Sequence, residues 1–126
     1  MRIGIIPDPL SHPDWHKMKA LLEPAAKRGG VPVLAPNEAV WAVYDGHLRA
    51  VATTRLTDAG HGEIILCGGS EAKEWAAPLA DMICDWFRAE GMQAARIYGR
   101  KGWARLLKGW RILGQENGFT AFEKVL

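Results

Sequence analysis

Cysteine is scarce in this chain: Cys67 and Cys84 are the only two among 126 residues. That excludes a disulfide-stapled scaffold, and their spacing is not that of a zinc site. Both read as buried free thiols. Long hydrophobic runs are missing too. No apolar stretch approaches the roughly 20 residues that a membrane-spanning helix requires. The opening Met1-Arg2-Ile3-Gly4-Ile5-Ile6-Pro7-Asp8 lacks the extended apolar core and small-residue cleavage site of a secretory signal. The expectation is a soluble, cytoplasmic protein with no membrane partner. No internal repeat, linker or low-complexity segment is visible. What is present, 48% hydrophobic and 24% charged residues, suits one globular domain over residues 1–126 and excludes collagen-like, coiled-coil and disordered classes.

The net charge of +2 says little, but its distribution is uneven. Arg96, Arg100, Lys101, Arg105, Lys108 and Arg111 follow one another without an intervening acid. Such a run points to an anion nearby or to a solvated basic face. The carboxylates Glu63, Glu71, Glu74, Asp81, Asp85 and Glu90 come earlier.

Periodicity divides the chain into elements. Ile3 to Ile6 reads as a short strand closed by Pro7-Asp8-Pro9. Ser11, Pro13 and Asp14 form a helix-start signal, and Trp15, Met18, Leu21, Leu22 and Ala25 recur at helical spacing until Gly29-Gly30. Pro24 is expected to kink or divide that helix. After Val31-Pro32-Val33, Ala39–Tyr44 and Leu48–Leu56 read as strands joined at Asp45-Gly46, the strongest hairpin signal in the chain. Glu63–Cys67 reads as a third antiparallel strand, with Ile64-Ile65-Leu66 buried on both faces and Gly68-Gly69-Ser70 breaking it. Trp75, Leu79, Met82, Ile83, Trp86 and Phe87 follow at helical spacing up to Gly91. Ala94–Tyr98 is a strand parallel to the one before the helix, reached by a right-handed crossover. Lys101–Lys108 reads as a short helix, and Trp110–Gln115 and Thr120–Val125 as a last strand pair around Glu116-Asn117-Gly118.

That order of elements, over nearly the whole chain, resembles the GCN5-related N-acetyltransferase fold: a mixed α/β (α+β) architecture with a mainly antiparallel central sheet, one β-α-β crossover and flanking helices. The tail Ala104-Arg105-Leu106-Leu107-Lys108-Gly109-Trp110, ending in Thr120-Ala121-Phe122-Glu123-Lys124-Val125-Leu126, looks like a shortened form of the family's closing pattern. Tyr98-Gly99-Arg100-Lys101-Gly102-Trp103-Ala104-Arg105 resembles small acetyltransferase-like proteins of tailed bacteriophages and prophages. The resemblance implies transfer of an acetyl group from acetyl-coenzyme A, or another acyl-coenzyme A, to an amine on a small molecule or protein. It also implies a host-cytoplasmic location if the protein is phage-encoded. Leu66, Cys67, Gly68, Gly69, Ser70, Glu71 and Ala72 would then form the strand end and turn against the coenzyme, their glycines admitting a phosphate, with Arg100, Lys101 or Arg105 meeting its phosphates. The family's Arg/Gln-x-x-Gly-x-Gly/Ala loop is not found, and Leu107 stands at the position aligned with its usual catalytic tyrosine.

Glu63 is the candidate general base, with the Leu66–Gly68 backbone N–H groups as oxyanion donors, and Tyr98 is the candidate acid. The plainer readings are a solvated strand-end carboxylate for Glu63 and a core tyrosine for Tyr98. His12 and His16, four apart, have no third ligand set by the local sequence, so no metal site is assigned. His47 and His61 read as exposed loop residues, His61 remaining a minor candidate. Two other functions fit: a catalytically inactive phage interaction or structural module, self-associating through exposed tryptophans such as Trp103, and nucleic-acid binding through residues 96–111. The balance of residues is against nucleic acid.

Overall fold

Alternating apolar positions separated by Gly, Pro and Asp turns demand strands, and two stretches with apolar residues every third or fourth position demand helices. The computed structural model describes residues 1–29, 34–116 and 118–126. The strands are β1 (Arg2–Ile6), β2 (Glu38–Tyr44), β3 (Leu48–Leu56), β4 (His61–Gly69), β5 (Ala94–Gly99), β6 (Arg111–Glu116) and β7 (Phe119–Val125). The helices are α1 (Trp15–Gly29) and α2 (Ala72–Ala89). The sheet has seven strands in the order β1-β2-β3-β4-β5-β7-β6. Its β4–β5 pair is parallel, whereas β1–β2, β2–β3, β5–β7 and β6–β7 are antiparallel. This is the mixed, mainly antiparallel α+β sheet with a β-α-β crossover that the element order predicts. Among the described residues no helix is long and apolar enough to cross a membrane.

The chain divides into two compact units, each drawn from two stretches: Met1–Arg55 with Ile65–Glu71, and Leu56–Ile64 with Ala72–Leu126. In the first, α1 lays Met18 and Leu22 onto Val40, Ala42 and Val51, with Leu66 of β4 packed against that cluster. The helix starts later than the Ser11 signal suggests. Pro9–Ser11 forms only a 3-10 turn without a side-chain cap, and His12 is extended. The following Pro13 explains this, because a residue before proline is pushed out of the helical region. Asp14 takes over as the leading residue, its carbonyl accepting from the Met18 N–H at 2.9 Å. Pro24 does not divide the helix, which runs through to Gly29. The missing donor is tolerated because Pro24 sits on the exposed side, away from the packing that stabilises α1. The terminating role of Gly30 and the reading of Val31–Val33 lie outside the described residues, as does that of Asn117.

β4 also differs from expectation. It begins at His61 and continues through Gly68 and Gly69 instead of breaking there. The reason is close approach: a Cβ at Gly68 would overlap the Leu21 carbonyl oxygen of α1. Ile64 is buried, but Ile65 and Leu66 are only half-buried.

In the second unit, α2 buries Trp75, Leu79, Ile83 and Phe87, one turn apart, together with Ala76, Ala80 and Cys84. Met82, included in the apolar stripe from sequence, is 41% exposed. Phe87 lies so near β4 that a Cβ at Gly62 would stand 2.5 Å from its ring. The expected helix over Lys101–Lys108 is a 3-10 turn, Lys101–Arg105, bounded closely by glycine and therefore too short to propagate.

Gly62→Ala and Gly68→Ala should each lower stability by about 1–3 kcal/mol, the second more because it meets backbone. Gly102→Ala, where a Cβ meets nothing within 4 Å, should leave the melting temperature unchanged. Thermal or urea unfolding of the three variants checks this ranking.

Candidate functional site

A strand places alternate side chains on opposite faces, so with Phe87 of α2 covering Gly62, the side chains of His61 and Glu63 belong to the other face of β4. The register of the second unit aligns Glu63 of β4 with Arg96 of β5, Arg96 with Glu123 of β7, and Glu123 with Arg111 of β6. An acid-base-acid-base row therefore crosses four strands. Arg96 Nε donates to Glu123 Oε2 at 2.9 Å and Arg111 Nη2 donates to Glu123 Oε1 at 2.6 Å. These two guanidinium groups, Arg111 first, hold the Glu123 carboxyl below the usual carboxylate range. The hydrogen bonds of Arg96 to Glu123 and then to Tyr98 strengthen its own hold on its proton.

Glu63 is buried, 8% exposed, which overturns the solvated strand-end reading. His61 is no loop residue: it opens β4, is half-buried, and places Nε2 3.2 Å from Glu63 Oε2. The exposed-loop reading failed because the flanking glycines suggested a turn, whereas Gly62 is there to admit Phe87. A period-two reading of His61 and Glu63 on one strand face was the signal available. His47 is exposed, as expected. Tyr98, paired with Ala121 of β7, is 36% exposed and so is not a core tyrosine.

Several bases of the 96–111 run are engaged elsewhere. Arg96 and Arg111 close on Glu123, and Trp103 makes an edge contact with Trp75 at 6.3 Å between ring centroids. Arg100, Lys101, Arg105 and Lys108 are exposed. A continuous basic-aromatic strip for nucleic acid is thus interrupted. Leu107 is buried, 4% exposed, and serves as a core residue.

In the first unit, β4 carries Leu66, Cys67 and Gly68, half-buried, and ends at Gly69, which is exposed like Ser70 and Glu71 after it. Burial pushes the Cys67 thiol up to about 12 and the Cys84 thiol up to about 11, so neither is a thiolate nucleophile at neutral pH. The Cβ side of Gly68 faces the Leu21 carbonyl and that of Gly69 the Arg49 carbonyl at 2.5 Å. Both glycines are required by the chain's own packing. Only Ser70 and Glu71 separate β4 from Ala72, where α2 begins. Glu71 has φ +58°, and its carboxylate receives Arg49 Nη2 at 2.6 Å.

Near the start of α1, the Tyr44 hydroxyl donates to Asp14 Oδ2 at 2.7 Å. Burial and this bond push Tyr44 up to about 12. His12 Nδ1 accepts the Asp14 N–H at 3.0 Å. Among the described residues no group of three or more His, Cys, Asp or Glu could hold a metal ion.

The β4–β5 register runs from His61↔Ala94 to Ile64↔Ile97 and stops there, although β4 continues to Gly69 and β5 to Gly99. No protein-family model matches the sequence and no curated protein does. Solved structures do match in fold. An IAA acetyltransferase from Bacillus cereus has a TM-score of 0.75 at 16% identity, covering 99% of each chain. PaiA N-acetyltransferase from Thermoplasma acidophilum, solved with coenzyme A, has 0.71 at 14% identity, covering 100% of each. Aminoglycoside 6'-N-acetyltransferase from Enterococcus faecium has 0.72 at 12% identity, covering 99% of this chain and 97% of that one. The fold is that of the GCN5-related N-acetyltransferases.

Because Glu123 is held below its unfolded-state value, it contributes stability above the ordinary carboxylate range, and that contribution is lost as pH falls through its folded value. Glu123→Gln should therefore lower the melting temperature at pH 7. The gap to wild type should narrow as the pH is taken below about 4.3, the unperturbed glutamate value. Melting curves across this range check the sign.

Proposed function

We propose that the protein binds an acyl-coenzyme A and transfers its acyl group to an amine, acetyl-coenzyme A being the first donor to test. The observation that carries this reading is the stop in the β4–β5 register at Ile64↔Ile97 in a chain of acetyltransferase fold. Beyond that point Ile65, Leu66 and Cys67 have no register partner on β5. Their backbone groups suit the amides of an extended pantetheine arm, which seek strand-like pairing.

The chain's donors also suit a pyrophosphate. The first turn of an α-helix has N–H groups without intrahelical acceptors, and its dipole favours an anion. Here α2 presents Ala72, Lys73 and Glu74 in that turn. Arg100, Lys101 and Arg105 are exposed, and among the described residues no ion pair engages them. The Glu71 charge next to α2 is countered by Arg49.

Bound acyl-coenzyme A supplies the acyl group as a thioester. Glu63 accepts the proton of the attacking amine, directly or through water. His61 Nε2, 3.2 Å away, orients that carboxylate. The N–H groups of Leu66 to Gly68 serve as oxyanion donors. Tyr98, beside Arg96, donates the proton to the departing sulfur. The acceptor is a small-molecule or protein amine. The phage-like segment Tyr98–Arg105 belongs to the same reading, with a cytoplasmic setting.

A second reading, a non-catalytic module of this fold, is favoured by two observations: Leu107 is buried in the core, and the residues from Gly68 to Glu74 do not carry the family's Arg/Gln-x-x-Gly-x-Gly/Ala pattern.

Melting with acetyl-coenzyme A decides between them. Saturation at about 100 times the dissociation constant should add about 2.7 kcal/mol of stability; no shift and no heat of binding would end the enzyme reading. With activity in hand, Glu63→Gln should reduce kcat by about 10²–10⁴-fold without weakening coenzyme binding, and wild-type kcat in that variant would remove Glu63 from the mechanism.

A further inference from the structure

Among the described residues Glu71 is the one non-glycine residue with a positive φ, +58°. A side chain disfavours that left-handed conformation, so something must hold it there. Two residues earlier there is little slack: Gly69 is packed against the Arg49 carbonyl and Ala50, so the chain leaves β4 pinned to the start of β3. From that same position the Arg49 side chain, only 13% exposed, reaches out with Nη2 2.6 Å from Glu71 Oε2 and Nη1 3.4 Å from Asp45 Oδ2. The guanidinium is thus fixed from two sides, with Asp45 in the β2–β3 hairpin as its second anchor.

We propose that Arg49 is a positioning residue, whose ion pair with Glu71 keeps the two-residue β4–α2 connection in its left-handed turn and does the work that a glycine would do at position 71. An arginine anchored by Asp45 is a semi-rigid strut, because its planar fork loses less freedom per bond formed than a lysine does. The turn it fixes directs the chain into the first residues of α2. Resting on the acyl-coenzyme A reading, Arg49 would then act on the coenzyme indirectly, by setting the N–H groups of Ala72 to Glu74, and not by touching a phosphate.

The test uses the full chain and two readouts. In ligand-free protein, Arg49→Ala should speed amide exchange of Trp75, Ala76 and Ala77, the first α2 donors with helical acceptors, by about tenfold while leaving the strand amides of β5 and β7 unchanged. Arg49→Lys, which keeps charge but loses the fork, should fall between, and it covers the case in which the alanine variant does not fold. Adding Glu71→Gly to Arg49→Ala should return exchange to the wild-type rate, because glycine adopts this φ without a tether. Coenzyme A titration should show the same pattern, with affinity lowered about tenfold by Arg49→Ala and restored in the double variant.

Unchanged exchange in both Arg49 variants, or a double variant no better than Arg49→Ala alone, would overturn the proposal. Restored exchange without restored coenzyme affinity would overturn the indirect role and make Arg49 a direct ligand. Absence of coenzyme binding by wild type would end the acyl-coenzyme A reading, while exchange would still decide the role of Arg49.

Discussion

The constraint on which the rest depends is the double duty of β4. Its first four residues, His61 to Ile64, pair in parallel with β5, and the residues from Ile65 onward belong with α1 and the β1–β3 stretch. A strand that serves two sets of neighbours in nine residues must change what it presents along its length. The glycines are where this is paid for sterically: Gly62 admits the Phe87 ring, Gly68 admits the Leu21 carbonyl, and Gly69 admits the Arg49 carbonyl. Each gives up side-chain packing so that a neighbour can approach.

The buried charges of the second unit obey the same economy of neighbours. Glu123 is 6% exposed, and a carboxylate taken that far from water is tolerated only if it is well bonded. Two arginines from the strands on either side of β7 supply the bonds. Removing either leaves a charge that the sheet can no longer satisfy fully, so the row is better regarded as a fixture of the β5–β7–β6 arrangement than as a source of free cations. It also sets the electrostatic surroundings of Tyr98, through Arg96.

Much of the architecture was legible because local signals and global pairing agree. Asp45-Gly46 marks the β2–β3 hairpin, the Trp75-Leu79-Ile83-Phe87 spacing marks α2, and both strands flanking it were placed within two residues or so of their observed ends. The failures share a cause. Glycine was read as a breaker at Gly68-Gly69 and as a loop marker around His61, but in both places its task is to let another element come close, a tertiary fact with no local signature. Likewise the exposure of Met82 and the continuity of α1 through Pro24 depend on which helix face is packed, and periodicity alone leaves that loosely set. The candidate site was legible in part: Glu63 and Tyr98 were singled out by residue type and position, but the His61 contact and the Arg49–Glu71 pair required the register of β4 and the geometry of a turn.

The two departures from the family pattern pull the chemistry in different directions. Leu107, at the position where the resemblance would put a tyrosine, offers no proton donor and is buried in the core. Tyr98, on β5 and partly exposed, retains a phenol next to Arg96. The lost glycine-rich loop is a different matter, since a loop of that kind positions backbone donors and contributes no proton. Backbone donors remain wherever a helix begins, and α2 begins two residues after β4 ends. What the short connection gives up is conformational freedom, and a non-glycine residue at φ +58° is the consequence. An ion pair on that residue, Arg49 to Glu71, acts on the turn's conformation, a property that a glycine at this position would supply through its backbone freedom.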